Sequence, residues 1–426
     1  MEKIKSIAFV VVSAFLLSTL ALGQKSFTVV KVPGASPSSA IAINNSGQVM
    51  VNTNAGNSNQ PSIWSRLSGT QSLNLNAANS NGAAINNIGE VVGAGNPDNS
   101  GNLQAFLAEP AEGAQWLPSL GGALSGANGV NDAGAVVGFS YTAANTQHAF
   151  LWTAAGGTQD LTPDSSSIGG ATAMAINSAN DVVGYYYPNG SSRTVGFLWT
   201  QNGGLQNLGG TGTLAFAINN AGTIVGQTPF ANADRHAFSW SASGGIQDLG
   251  TLGGEESSAL SINSRGWIAG TSLPSKGKGL LHGFLWTPTT GMQDFTTLAG
   301  LNTNWQISSA QVNDAGVMAI STNKGGYLLV PKMNETMTSS ANPSVVGQAV
   351  TFSVAVTSIA GPPPDGEMVQ FTVGGKVVAS VALKGGAAQF TSSSIPVGSH
   401  VVEAVYGGDA NYLPANYTSI AQVVKQ

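Results

Sequence analysis

The residue types that can do chemistry are few in this chain. Two carboxylates around one pocket would serve glycoside hydrolysis, one as acid and the other as base or nucleophile. Among residues 24–331, the acids read as lying outside any repeated pattern are Glu109, Glu112, Asp234, Glu255 and Glu256. Histidine recurs as His148, His236 and His282, each opening a strand-like run ("HAFLW", "HAFSW", "HGFLW") that closes on Trp152, Trp240 or Trp286. Period two puts each His and its Trp on one strand face, which reads as sheet packing with a structural histidine, not as a ligand set. Three consecutive tyrosines, Tyr185, Tyr186 and Tyr187, offer flat apolar faces with a polar handle, suited to stacking on sugar rings, and are the candidate ligand-binding residues. No G-x-S-x-G, H-E-x-x-H, phosphate loop or dinucleotide fingerprint occurs, so no catalytic residue, metal or cofactor is assigned.

Composition narrows the classes further. Charged residues make up 8% of the 426 and the formal charge is −5, so the basic footprint demanded by a phosphate backbone is missing and nucleic acid is excluded as a partner. With no cysteine, disulfides and thiolate metal sites are excluded as well. The opening "MEKIKSIAFVVVSAFLLSTLALGQ" has Lys3 and Lys5, an apolar run, then Ala21 and Gly23 before a cut ahead of Gln24. It reads as a secretory signal over residues 1–23, cleaved near Gly23. The mature chain is expected to be secreted (extracellular, cell-surface or periplasmic), with a charge of about −6, no membrane span and a monomeric state.

The elements that must position the tyrosines come from a repeat. An Asn-x-x-Gly turn recurs at Asn44, Asn86, Asn131, Asn177, Asn219, Asn263 and Asn313, at spacings of 42, 45, 46, 42, 44 and 50 residues. Each unit carries four strand-like runs, as in "GANGV", "AVVGFSY", "HAFLW" and "TQDL", with Gly, Asn and Ser between them and no helical periodicity. The seventh unit stops after its third run, "YLLVP", while an orphan run, "FTVVKV", precedes the first. If the orphan completes the seventh unit, the array closes, and the expected fold is all-β: a seven-bladed propeller of roughly 45-residue, four-stranded blades over residues 24–331.

Within the turn, the last position needs positive φ, supplied by Gly47, Gly89, Gly134, Gly222, Gly266 and Gly316, and by Asn180 in the fourth copy. The leading Asn can fold its side-chain oxygen onto the backbone two residues on, and the second position is read as indifferent to residue type. The motif is therefore punctuation, and with only Asp132 and Asp314 acidic at that second position it lacks the oxygens calcium requires. Gln71, Gln115, Gln159, Gln206, Gln247 and Gln293 recur in the fourth run and suggest a repeated backbone contact.

"HAFLW", "IQDLGTLGG" and "SALSINSRGWIAG", recurring in order, resemble the HAF family of bacterial extracellular repeats, a likeness spanning residues 27 to about 331. It implies secretion and a repeat fold, with no reaction or ligand to carry over. After a linker at 332–336, residues 337–426 alternate apolar and polar runs around Gly374–Gly375 and Gly385–Gly386 hairpins, as in a seven-stranded β-sandwich. "ANPSVVGQAVTFSVAV" and "VVEAVYGGDANY" resemble the bacterial Ig-like domains of group 3, which implies a spacer or adhesive module. Tyr406 is expected to be buried and Asp409 to be a solvated turn residue.

The expected function is a secreted or cell-surface binding or adhesion protein, not an enzyme, whose propeller recognises a glycan or a cell-surface protein while the Ig-like module spaces or anchors it. The alternative is a secreted polysaccharide hydrolase on the same fold. Ligand contacts are sought in "YYYPNGSSR", "QTPFANADR" and "TSLPSKGKGL", which share the end opposite the Asn-x-x-Gly turns.

Overall fold

The computed structural model describes residues 25–35, 41–55, 58–75, 77–97, 101–110, 112–163, 167–230, 234–276, 279–415 and 417–426. The signal read over residues 1–23 lies outside them.

Each repeat unit folds into one four-stranded antiparallel sheet. In the third, Gly121–Val130, Val136–Thr142, Gln147–Thr153 and Gly157–Asp160 lie side by side in chain order. Six sheets follow that plan. A seventh takes Ile307–Val312, Met318–Thr322 and Gly325–Pro331 from the end of the repeat region and Phe27–Lys31 from its beginning, Phe27 opposite Pro331 and Lys31 opposite Tyr327. Strand residues alternate between two faces, and both faces are apolar because a neighbouring sheet covers each. One such layer joins Val183 and Leu208 of the fourth unit to Ala215, Ile218 and Ile224 of the fifth.

Two sequence features acquire physical reasons here. The Gly of the repeated "VVG", "IVG" or "IAG" (Gly93, Gly138, Gly184, Gly226, Gly270) lies beside an irregularity in the first strand, and a Cβ there would overlap the carbonyl oxygen of Asn81, Gly126, Thr172, Leu214 or Ser258. Glycine lets the bulged strand close against its neighbour. The third-strand Trp stands opposite the first aliphatic of the second strand, as Val136 faces Trp152 and Val182 faces Trp199.

Three expectations need correction. The fourth-strand glutamines make no buried backbone contact: they sit on the outer strand opposite a third-strand residue, as Gln159 opposite Leu151, and all but Gln293 are exposed. The region is not wholly helix-free, since Asp294 caps a five-residue helix, Phe295–Ala299, which Gly300 ends at φ +61°. This insertion accounts for the long last spacing. The proposed linker is shorter than expected, because Asn334–Ser339 is already a strand, Met333 is buried and Lys332 N–H is bonded to Ser26 O at 2.9 Å.

The C-terminal module is a two-sheet sandwich, one sheet of three strands and one of five. The fifth member of the larger sheet, Ser344–Val345, is a two-residue strand parallel to Thr418–Lys425, one more than the seven expected. Gly374–Gly375 closes a hairpin between Met368–Val373 and Lys376–Ala382. Gly385–Gly386 instead turns the chain from one sheet to the other. The module is packed directly on the repeat: Val49, Trp64, Ala315 and Val317 share one apolar cluster with Met333, Val356, Tyr412 and Ala415.

Candidate functional site

The two ends of the sheets are built differently. At the turn end, each motif Asn is buried, with Oδ1 accepting the N–H four residues on at 2.8–3.0 Å. The closing residue takes positive φ, from +72° to +94° at the six glycines and +63° at Asn180. The Asn amide then does what the sequence did not reveal: it donates to the carbonyl of the next unit's Asn. These bonds run from Asn44 to Asn86, Asn86 to Asn131, Asn131 to Asn177, Asn219 to Asn263, Asn263 to Asn313, and Asn313 back to Asn44, at 2.9–3.1 Å. Between the fourth and fifth units Ser178 N–H reaches Asn220 Oδ1 at 3.0 Å.

The second motif position is consequently not indifferent. Asn87 and Asp314 accept the preceding unit's N–H at Asn45 and Ser264, Asp132 accepts that of Asn87, and Asn45 accepts that of Asp314. The carboxylates of Asp132 and Asp314 are thus engaged in unit-to-unit bonds. An amide is the side chain required at the first position because one group must accept and donate at once. The motif is punctuation and also inter-unit mortar.

The C-terminal module caps this end at the seam between the last and first units. Asn313 Nδ2 donates to Asn411 Oδ1 at 2.7 Å, and Asn411 Nδ2 donates to Asn45 O at 2.8 Å. Arg66 Nη1 donates to Ala410 O at 3.2 Å, and Arg265 Nη1 to Ala360 O. Asp409, expected to be solvated, is half-buried, and its Oδ1 accepts the N–H groups of Asn411 and Tyr412 at 2.8 and 2.7 Å. It shapes the loop that fits the seam. Tyr406 is fully buried.

At the opposite end the tyrosines separate. Tyr185 and Tyr187 share a face of the strand Val182–Pro188, with ring centroids 6.1 Å apart in an edge-on arrangement. Tyr186 points the other way: it is 9% exposed, and its hydroxyl donates to Asn207 Oδ1 at 3.1 Å. Tyr186 therefore leaves the candidate site. Its unit has Val195 and Asn207 where the unit before has His148 and Asp160, whose side chains bond at 2.7 Å; the same His–Asp bond joins His236 to Asp248 and His282 to Asp294. The histidines tie third strand to fourth.

Tyr185 and Tyr187 line a cavity of about 390 Å³ between the fourth and fifth units, with Ser192, Arg193, Thr194, Thr211, Gly212, Leu214, Phe216, Pro229 and Arg235. Its walls are fixed by local bonds. Ser191 Oγ accepts the Arg193 N–H at 3.0 Å, and Gly212 N–H bonds to Thr194 O at 2.6 Å. Gly212 has φ +97°, and a Cβ there would press on Pro229. Thr213 below bonds both Gly210 O and Thr228 Oγ1, each at 2.8 Å. Of the three loops in which ligand contacts were sought, two contribute, but Arg193, Arg235 and Phe216 were not singled out. The signal was present: the chain has four arginines, and two of them end the quoted loops. The third loop, 271–280, does not reach the cavity, and its residues 277–278 lie outside those described.

The acids do not converge. Glu109 and Glu112 belong to a hairpin at the turn end, whereas Asp234, Glu255 and Glu256 lie in connections at the other. None of the cavity's lining residues is acidic. Among the described residues, no group of three or more His, Asp or Glu is disposed to hold a metal, and no helix is long and apolar enough to cross a membrane.

Residues 337–425 match the family model of the bacterial Ig-like domain, group 3. No curated protein is significantly similar to the chain. Among solved structures, a streptogramin B lyase aligns over 72% of this chain and 98% of its own, at 12% identity and TM-score 0.48. The extracellular domain of a hybrid two-component system from B. thetaiotaomicron aligns over 94% of this chain and 58% of its own, at 11% identity and TM-score 0.43. A gluconolactonase from Xanthomonas campestris covers 72% and 89%, at 14% and 0.38.

Proposed function

We propose that this is a secreted, non-enzymatic glycan-binding protein. In this reading the seven sheets are the blades of a propeller, closed by the N-terminal strand and by the Asn313–Asn44 bond. The Ig-like module caps the turn end and leaves the loop end open. The observation that carries the proposal is the cavity between the fourth and fifth units, where two tyrosine faces and Phe216 meet the hydroxyls of Ser192, Thr194 and Thr211. Aromatic faces take the C–H surface of a sugar and the hydroxyls take its polar edge. The scattered acids and the non-acidic lining support binding over hydrolysis. The resemblance of the repeats to the HAF family is compatible with this reading and supplies no ligand of its own.

The test is calorimetric titration of an oligosaccharide panel against residues 24–426, with chromatography of each bound sugar for cleavage products. Tyr185→Ala and Tyr187→Ala should each weaken binding roughly tenfold, and Tyr186→Phe should leave it unchanged. Cleavage of a bound sugar, or binding indifferent to both alanine variants, overturns the proposal.

A further inference from the structure

The cavity carries a charge that stacking on a neutral sugar does not use. In a chain with only four arginines, Arg193 and Arg235 both line it, one from the second-to-third-strand loop of the fourth unit and one opening the third strand of the fifth. Arg66 and Arg265, by contrast, donate to carbonyls of the C-terminal module. Neither guanidinium at the cavity has an ion pair or side-chain hydrogen bond to a described residue. Their backbones are nevertheless held, Arg193 by the Ser191 hydroxyl and Arg235 opposite Pro229 in the strand ladder. His236, next to Arg235, is fixed to Asp248 and lies against Phe230, ring centroids 5.7 Å apart.

Two unpaired guanidinium groups on anchored backbones, across a cavity with no acid in its lining, form a receptor for an anion. Guanidinium presents a planar fork that meets a carboxylate or sulfate oxygen pair with two parallel hydrogen bonds, a geometry lysine cannot reproduce. The tyrosine faces beside them define what bears the anion.

Resting on the glycan reading of this cavity, we infer that its ligand is an anionic saccharide, with Tyr185 and Tyr187 stacking on the ring and Arg193 and Arg235 holding a carboxylate or sulfate substituent. Such polymers are polyvalent, and a site that pairs one charged substituent with one stacked ring can grip them at any point along the chain.

The experiment titrates galacturonate, glucuronate and mannuronate tetramers, their carboxyl-reduced neutral counterparts and O-sulfated versions of those counterparts into residues 24–426. A charged form should bind at least about tenfold more tightly than its neutral counterpart, and added salt should weaken that preference. Preference for the carboxylated or the sulfated series identifies which anion is read. Arg193→Gln and Arg235→Gln should each abolish most of the preference, lowering the affinity for the charged form far more than that for its neutral counterpart, and Arg193→Lys should keep part of it. Both arginines are exposed, so folding should be intact, checked by the melting temperature. Equal affinity for charged and neutral forms, with Tyr185→Ala still weakening both, overturns the anion inference and leaves the glycan reading standing. Binding of no member of the three series overturns both.

Discussion

The turn end and the loop end of the same sheets spend their polar groups in opposite ways. At the turn end every motif Asn is buried and its amide both accepts and donates, so the seven repeats are knitted together and little is left over for a ligand. At the loop end, between the fourth and fifth units, hydroxyls and guanidinium groups face a cavity. The arginines divide the same way, two pinning the C-terminal module and two lining the cavity. Repetition therefore marks structure in this molecule, and departure from repetition marks the candidate site. The tyrosine triplet, the two cavity arginines and the lone Asn207 all occur where the fourth and fifth units break the pattern.

The largest effect should come from breaking the turn-end network where it is most heavily shared. Asn313 donates to Asn44 O and Asn411 Oδ1, so Asn313→Asp would set a carboxylate against two acceptors. Burying an unpaired charge in place of two satisfied donors should cost about 3–5 kcal/mol in urea unfolding. Asn219→Asp, at a turn with one inter-unit acceptor and no contact to the C-terminal module, should cost less. Equal losses would show that the seam is no different from the other junctions.

Next is the interface itself. Arg66→Ala with Arg265→Ala removes both guanidinium–carbonyl bonds and should cost about 3 kcal/mol, each part-buried bond counting at the low end of the roughly 1.5–3 kcal/mol of a charged hydrogen bond. The double variant should also separate the melting of the repeat from that of the Ig-like module in calorimetry. A single unchanged transition would mean that the shared apolar cluster alone couples them.

Much of this was legible in the sequence, for identifiable reasons. Strand order within a unit follows from hairpins closed by Asn-x-x-Gly and Gly-Gly, which are local signals, and the orphan N-terminal strand was visible because the seventh unit lacked a fourth. The Asn-to-Asn bonds were not legible, because they join residues 42–50 positions apart, or 269 for the bond from Asn313 to Asn44, and depend on where neighbouring sheets come to rest. Nor was the seam contact of Asn411, 366 residues from Asn45. At the site, strand alternation alone could have assigned Tyr186 to the face away from Tyr185 and Tyr187. Phe216 lies in the next unit's first strand, where nothing in the sequence indicates that it would meet the tyrosines.

A smaller effect is expected from pH within the Ig-like module. Glu335 is pushed up to about 7 by burial, partly opposed by the Tyr406 N–H it accepts, and its Oε1 has no hydrogen-bond partner among the described residues. A carboxyl whose folded value lies above its unfolded one favours the folded state when protonated. Stability should therefore be greatest below the ordinary carboxylate range and fall as pH rises through about 7, since the folded state binds the extra proton. With Glu335 only partly buried, the change between pH 5 and 8 should be on the order of 1–2 kcal/mol. Glu335→Gln should flatten the slope; Glu367, raised chiefly by burial and by Asp409 beside it, would keep a residue of the same sign. A slope that Glu335→Gln leaves intact would assign the dependence elsewhere.

The smallest effect is the most telling for the comparison. Arg193→Gln and Arg235→Gln remove half of the arginines, as many as the interface pair, yet should change unfolding free energy by no more than about 0.5 kcal/mol each. Both side chains are exposed, and no described residue loses a hydrogen-bond partner with them. A group that contributes nothing to stability while its backbone is held in place and its charge is left unpaired is what a receptor for an external anion requires, since pairing within the fold would have to be broken before a ligand could bind. If either substitution instead costs as much as Arg66→Ala, that guanidinium belongs to the structure, and the division between a knitted end and an open end fails at the cavity.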